Sequence, residues 1–118
     1  MPKTPELKEQ VMNKENSKEY LLCSAIWYMD LPTQSMLPKN CDKGIVICGW
    51  RHGNIIGTLK ALAGLRSVLS GPDSVGNYEQ GFLTNTNRFV DRKEAADIAF
   101  EAGQINDKLT SLFSEDVW

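Results

Sequence analysis

The sequence predicts a small α/β chain of the α+β kind, a single domain in which an antiparallel sheet packs with two or three helices. Three observations carry this. Two dense apolar runs of strand length stand at Tyr20–Tyr28 and Gly44–Gly49. After residue 54 the apolar period changes to three and four. The length of 118 residues, 42% of them hydrophobic, suffices for one modest core. A chain this short buries a smaller fraction of its surface than a long one, so association of copies is a further way to remove apolar area from water.

Residues 1–17 read as a polar leader. Between Glu6 and Asn16 only Leu7, Val11 and Met12 are apolar, which predicts a weak surface helix or a frayed segment. Tyr20–Tyr28 (YLLCSAIWY) predicts a buried strand. Asp30–Cys41, with Pro32 and Pro38 among polar residues, has loop composition. Gly44–Gly49 (GIVICG) is the clearest strand, and with that loop between them the two strands form a wide hairpin. Ile55, Ile56, Leu59, Leu62, Leu65 and Leu69 mark one face of a helix over 54–69, which Ser70-Gly71-Pro72-Asp73 stops. Tyr78–Thr84 and Arg88–Val90 flank Asn85-Thr86-Asn87, a turn-prone tripeptide that predicts a short hairpin. Asp91 and Glu94 have capping-box spacing, Ala95, Ile98, Ala99 and Ala102 continue a helical face, and Gly103 serves as the C-terminal cap. Ile105–Phe113 leaves room for another short helix before the closing Ser114-Glu115-Asp116-Val117-Trp118.

A net charge of -2 sets up no field that would draw polymeric nucleic acid or anionic lipid. Cys23, Cys41 and Cys48 have neither disulfide-framework nor zinc-site spacing, so no metal is expected and the reduced cytoplasm is the expected compartment. No signal peptide or membrane-length apolar run is present in the sequence.

Two segments are dense in polar and aromatic groups. Trp50-Arg51-His52-Gly53-Asn54 stands where a strand gives way to a helix, a place where free backbone N–H groups favour an anion. Two readings fit: Arg51, His52 and Asn54 hold a phosphate, or His52 and Asn54 cap the helix while Arg51 meets a carboxylate. Gln80 to Arg92 gathers Phe82, Thr84, Asn85, Thr86, Asn87, Arg88, Phe89 and Arg92. Aromatic faces stack on bases, amides read base edges and guanidinium groups chelate phosphate, which suits a nucleotide. The alternative is an Asx-stabilised turn with both phenylalanines in the core and both arginines outside. Trp27 offers a further aromatic at a strand end, or a core edge. The closing Trp118 is better suited to docking on the body or on a neighbouring subunit than to free solvation. His52 is the sole histidine, and no serine or cysteine stands in a nucleophile motif, so no catalytic residue is named.

The strand ending AIWY, the strand followed by GWRHG, the segment QGFLTNTNRFVDRKEAADIAFEAGQI and the terminal SEDVW together resemble small phage proteins of the anti-Thoeris sponge family. The resemblance covers most of residues 20–118. It implies a protein that sequesters a cyclic nucleotide immune signal without cleaving it, namely cyclic ADP-ribose isomers. It also implies cyclic trinucleotides of CBASS defence at a separate site in some members, and a hexamer arranged as a trimer of dimers with pockets between subunits. Arg51, Asn87, Arg88 and Arg92 are then candidates for the ligand's polar groups, and Phe82 for adenine stacking. No cofactor is implied, and the setting is the host cytoplasm during infection. The competing expectation is a small phage enzyme acting on a nucleotide or its phosphodiester.

Overall fold

A computed structural model describes residues 18–66 and 75–118. They contain β1 (Leu21–Tyr28), β2 (Ile45–Gly49), α1 (His52–Arg66), β3 (Tyr78–Thr84), β4 (Phe89–Asp91), α2 (Arg92–Glu101) and α3 (Ser114–Val117). The strands form one antiparallel sheet in the order β2-β1-β3-β4, so the α+β architecture expected from the sequence is the one observed. β1 is the most apolar run because it is flanked on both sides: Ala25 pairs with Cys48 of β2 and with Gly81 of β3. The first two strands pair as the wide hairpin their spacing predicts.

Strand residues alternate between faces, and α1 and α2 cover the same one. Ile26 and Tyr28 pack with Ile55 and Leu59 of α1. Leu21, Phe82 and Val90 pack with Ala95, Ala96 and Ala99 of α2 and with Leu112. Small alanines let α2 approach the sheet closely. Phe82 is fully buried, and burying a side chain of this size stabilises by about 1.5–3 kcal/mol. On the other face Trp27 meets Phe89 edge to face at 5.8 Å and donates Nε1–H to the Lys43 carbonyl at 2.8 Å. That face is dressed by the 30–44 loop.

The same loop closes both sheet edges with side-chain amides. Asn40 donates to the Phe89 carbonyl at 2.7 Å and accepts its N–H at 2.8 Å, while Gln34 accepts from Val46 N–H at 2.8 Å. Unpaired strand edges template association, and these amides occupy them.

Two details differ from the sequence reading. The apolar face of α1 is only partly used: Ile55 and Leu59 are buried, whereas Ile56 and Leu62 are exposed. Ile56 follows Ile55 by about 100° round the helix and so points away from the sheet that Ile55 meets. The Leu65 side chain, Leu69 and the Ser70–Asp73 stop lie outside the described residues, as does the 1–17 leader. The second difference is that Ile105–Phe113 forms no helix. It folds back as coil because Leu112 N–H bonds the Arg92 carbonyl at 3.0 Å and Leu112 is fully buried under α2.

The caps of α2 follow the sequence, except that the Glu94 side chain turns to Arg88 instead of closing the capping box. Asp91 Oδ1 accepts from the N–H groups of Lys93 and Glu94. At the other end Gly103 adopts φ +78°, its N–H bonds the Phe100 carbonyl, and Gln104 N–H bonds the Ala99 carbonyl. This is a Schellman cap, whose left-handed residue favours glycine. No helix among the described residues is long and apolar enough to cross a membrane.

Candidate ligand site

The two polar segments meet. α1 begins where β2 ends, and its first residue, His52, is turned inward onto β3, where Nε2 lies 2.8 Å from the Gly81 carbonyl oxygen. A carbonyl only accepts, so Nε2 carries the proton and Nδ1 the lone pair. Burial depresses the His52 pKa, helped by the charge of Arg92 and opposed by the Gly81 bond and Glu115. The imidazole is therefore neutral at pH 7.

From His52 a ladder of rings leads outward. Its ring meets Phe82 edge to face at 5.3 Å, Phe82 meets Trp118 at 6.0 Å, and Trp118 meets Trp50 at 6.1 Å. Trp118 is held there by α3, whose start is tied by Phe113 N–H to Asp116 Oδ2 at 2.9 Å. Trp50 remains 64% exposed, so a large aromatic face is open to solvent.

Two guanidinium groups border the ladder. Arg51 donates to the Trp118 backbone oxygen. Arg92, the first residue of α2, donates to Gln80 Oε1 and lies with its guanidinium carbon 4.4 Å from the centre of the half-exposed Phe113 ring. The Leu112 to Arg92 backbone bond sets that stacking by bringing Phe113 beneath the arginine. Arg92 Nε is the one buried side-chain nitrogen or oxygen without a hydrogen-bond partner among the described residues. An unmet donor on a cation is worth about 1–3 kcal/mol or more to satisfy, and an anionic oxygen satisfies it best.

The rest of the second segment is committed elsewhere. Arg88 donates Nε and Nη2 to the two carboxylate oxygens of Glu19, each at 2.9 Å, and Nη2 also to Glu94 at 2.7 Å. Thr84 and Thr86 hydroxyls donate to Glu19 Oε2 at 2.7 and 2.6 Å. With these partners the Glu19 carboxyl is lowered from 4.5 to about 2, chiefly by Arg88, and the Arg88 guanidinium is raised. Asn85 accepts from Tyr20 N–H at 2.8 Å and donates to the Lys18 carbonyl at 3.4 Å. Asn87 occupies the left-handed turn position at φ 63° and accepts from Lys39 N–H. Asn54 accepts from Arg51 N–H at 3.0 Å at the start of α1.

The structure thus brings Arg51, His52, Phe82 and Arg92 together. It gathers Thr84, Asn85 and Arg88 into a second cluster around Glu19 and the 18–20 segment, keeps Asn87 in the turn bonded to Lys39, and sets Trp27 on the opposite sheet face. Trp50, Gln80, Phe113 and Trp118 join the first cluster and were not singled out individually as ligand groups. The signal for Trp118 was the apolar residue closing an otherwise acidic tail. For Phe113 there was none, because its role depends on the Leu112 to Arg92 bond.

The model of the Phage T4 y16D protein family matches residues 20–118. The chain belongs to this family. The y16D match begins one residue before β1 and takes in every described strand and helix, so the first cluster lies wholly inside it, while Glu19, the hub of the second, stands one residue before it. A y16D chain is a phage protein, which agrees at that level with the resemblance drawn from the sequence. Comparison with curated proteins and with solved structures returned no significant match.

Proposed function

We propose that this y16D-family chain binds and holds, without cleaving, a cyclic nucleotide at the cluster formed by Arg51, Arg92, Trp50, Phe113 and Trp118. The observation that carries the reading is Arg92: a guanidinium laid on the half-exposed Phe113 ring with no carboxylate partner among the described residues, bordering the same ring ladder as an exposed indole and a second guanidinium. Open aromatic faces stack on a base, and forked donors match phosphate oxygens. Phe82 and His52 form the floor, which keeps Trp118 in place.

The finer identity rests on the resemblance to the anti-Thoeris sponges. The ligand is then a cyclic ADP-ribose isomer, with cyclic trinucleotides at a separate site, and its capture in the infected cell's cytoplasm blocks Thoeris or CBASS defence. Sequestration of a scarce signal calls for roughly nanomolar affinity, equivalent to about 12 kcal/mol. An open face such as that of Trp50 and Phe113 falls short of this alone, so in this proposal a second copy closes the pocket, in a dimer or in a hexamer built as a trimer of dimers.

One observation favours the enzymatic alternative: His52 is neutral and keeps a lone pair on Nδ1, as a general base requires. The readings separate on the fate of the ligand. The protein is incubated with a cyclic ADP-ribose isomer and heat-denatured, and the released small molecule is analysed by mass spectrometry. Sequestration predicts recovery of the intact ring. A linearised or hydrolysed product overturns it.

A further inference from the structure

Away from the ring ladder, on the sheet face opposite α1, the register places two cysteines side by side. Cys48 stands directly opposite Ala25, and Cys23 precedes Ala25 by two residues on the same strand, so both side chains emerge on one face, diagonally across β1 and β2. The β1 to β3 pairing shifts between Leu21 and Cys23, a bulge that bends β1 at Cys23. Cys48 is exposed and Cys23 half-buried, and both are free thiols. We propose that Cys23 and Cys48 form a dithiol modification site that a low-molecular-weight disulfide converts to an intrachain cross-strand disulfide.

The two thiols act on each other's titration: Cys48 lowers the Cys23 pKa, while Cys23 and burial raise that of Cys48. Of the two, Cys23 is the easier to ionise and is the nucleophile. In the first step the Cys23 thiolate attacks one sulfur of glutathione disulfide, forming a mixed disulfide and releasing one glutathione thiolate. Cys48, deprotonated, then attacks the Cys23 sulfur and expels the second glutathione. Two protein thiols are oxidised, one disulfide is reduced to two thiols, and the two protons pass to the departing glutathiones. Cys41 is placed differently. It lies in the 30–44 loop, and burial raises its pKa, so it takes no part.

The bond would lock β2 to β1 two residues before Trp50 and close a loop containing the whole 30–44 segment. Restricting that loop in the unfolded chain raises the melting temperature.

The test treats the full chain with glutathione disulfide, blocks remaining thiols with iodoacetamide and maps the peptides by mass spectrometry. The expected product carries one alkyl group, on Cys41, and a linked pair of peptides containing Cys23 and Cys48. Its melting temperature is higher than that of the reduced chain. Cys48→Ser stops at a mixed disulfide on Cys23, whereas Cys41→Ser still cross-links. Three alkylated cysteines, a mixed disulfide on the unsubstituted chain that never closes, or a cross-link that requires Cys41 would each overturn the proposal. These readouts need no nucleotide, so they stand apart from the ligand assignment.

Discussion

Glu19→Gln tests how the 18–20 segment is fastened to the β3–β4 hairpin. The carboxylate accepts from Thr84, Thr86 and Arg88, and substitution removes its charge while leaving an amide of the same shape. Its pKa of about 2 lies below the ordinary 4.5, and at about 1.4 kcal/mol per pH unit this displacement sets a ceiling of roughly 3 kcal/mol at neutral pH. The Arg88 and Glu19 side chains are 28% and 21% exposed, and solvent screening brings the expected loss to about 1–2 kcal/mol. The sign follows from the depressed value. The contribution is complete above pH 4.5 and is lost as pH falls toward about 2, so the gap between wild type and variant narrows over that interval. Urea unfolding of both proteins between pH 7 and pH 2 measures it. A gap of the same size at both ends, or none at pH 7, would refute the reasoning.

Two other substitutions probe the sheet. Gly81→Ala drives a Cβ into the Val90 carbonyl and to 2.8 Å from Phe89 Cζ, so a loss of about 3 kcal/mol is expected in chemical denaturation, and an unchanged midpoint would show that the strands yield at no cost. Asn40→Ala removes both bonds to Phe89, with an expected cost of about 1–2 kcal/mol. It also bares the β4 edge, so light scattering should rise with protein concentration, and an unchanged profile would mean that the amide is not what protects the edge.

Local chemistry made the fold legible. Asp91, Gly103 and the Asn85–Asn87 turn act through bonds within a few residues, and the apolar runs of β1 and β2 declare themselves by composition. What could not be read depends on partners far along the chain. Leu62 follows the helical period of Ile55 and Leu59 yet is exposed, because a period does not state which of its positions a partner covers. Residues 105–113 have a helix-compatible pattern, yet the bond from Leu112 to Arg92 draws them into coil. The candidate site shows the same limit. Arg88 and Arg92 stand on either side of β4 and are chemically identical, and only the fold shows that Glu19, 69 residues away, neutralises Arg88 while Arg92 keeps an unmatched donor.

That difference supplies the most direct test of the proposed site. Calorimetric titration of a cyclic ADP-ribose isomer into wild type, Arg92→Ala and Arg88→Ala compares two arginines from one segment. The account predicts binding to wild type and at least a tenfold loss, about 1.4 kcal/mol, in Arg92→Ala. It predicts retained affinity in folded Arg88→Ala, whose loss should appear as stability instead. Equal affinity in wild type and Arg92→Ala, or no binding to wild type at all, would contradict it.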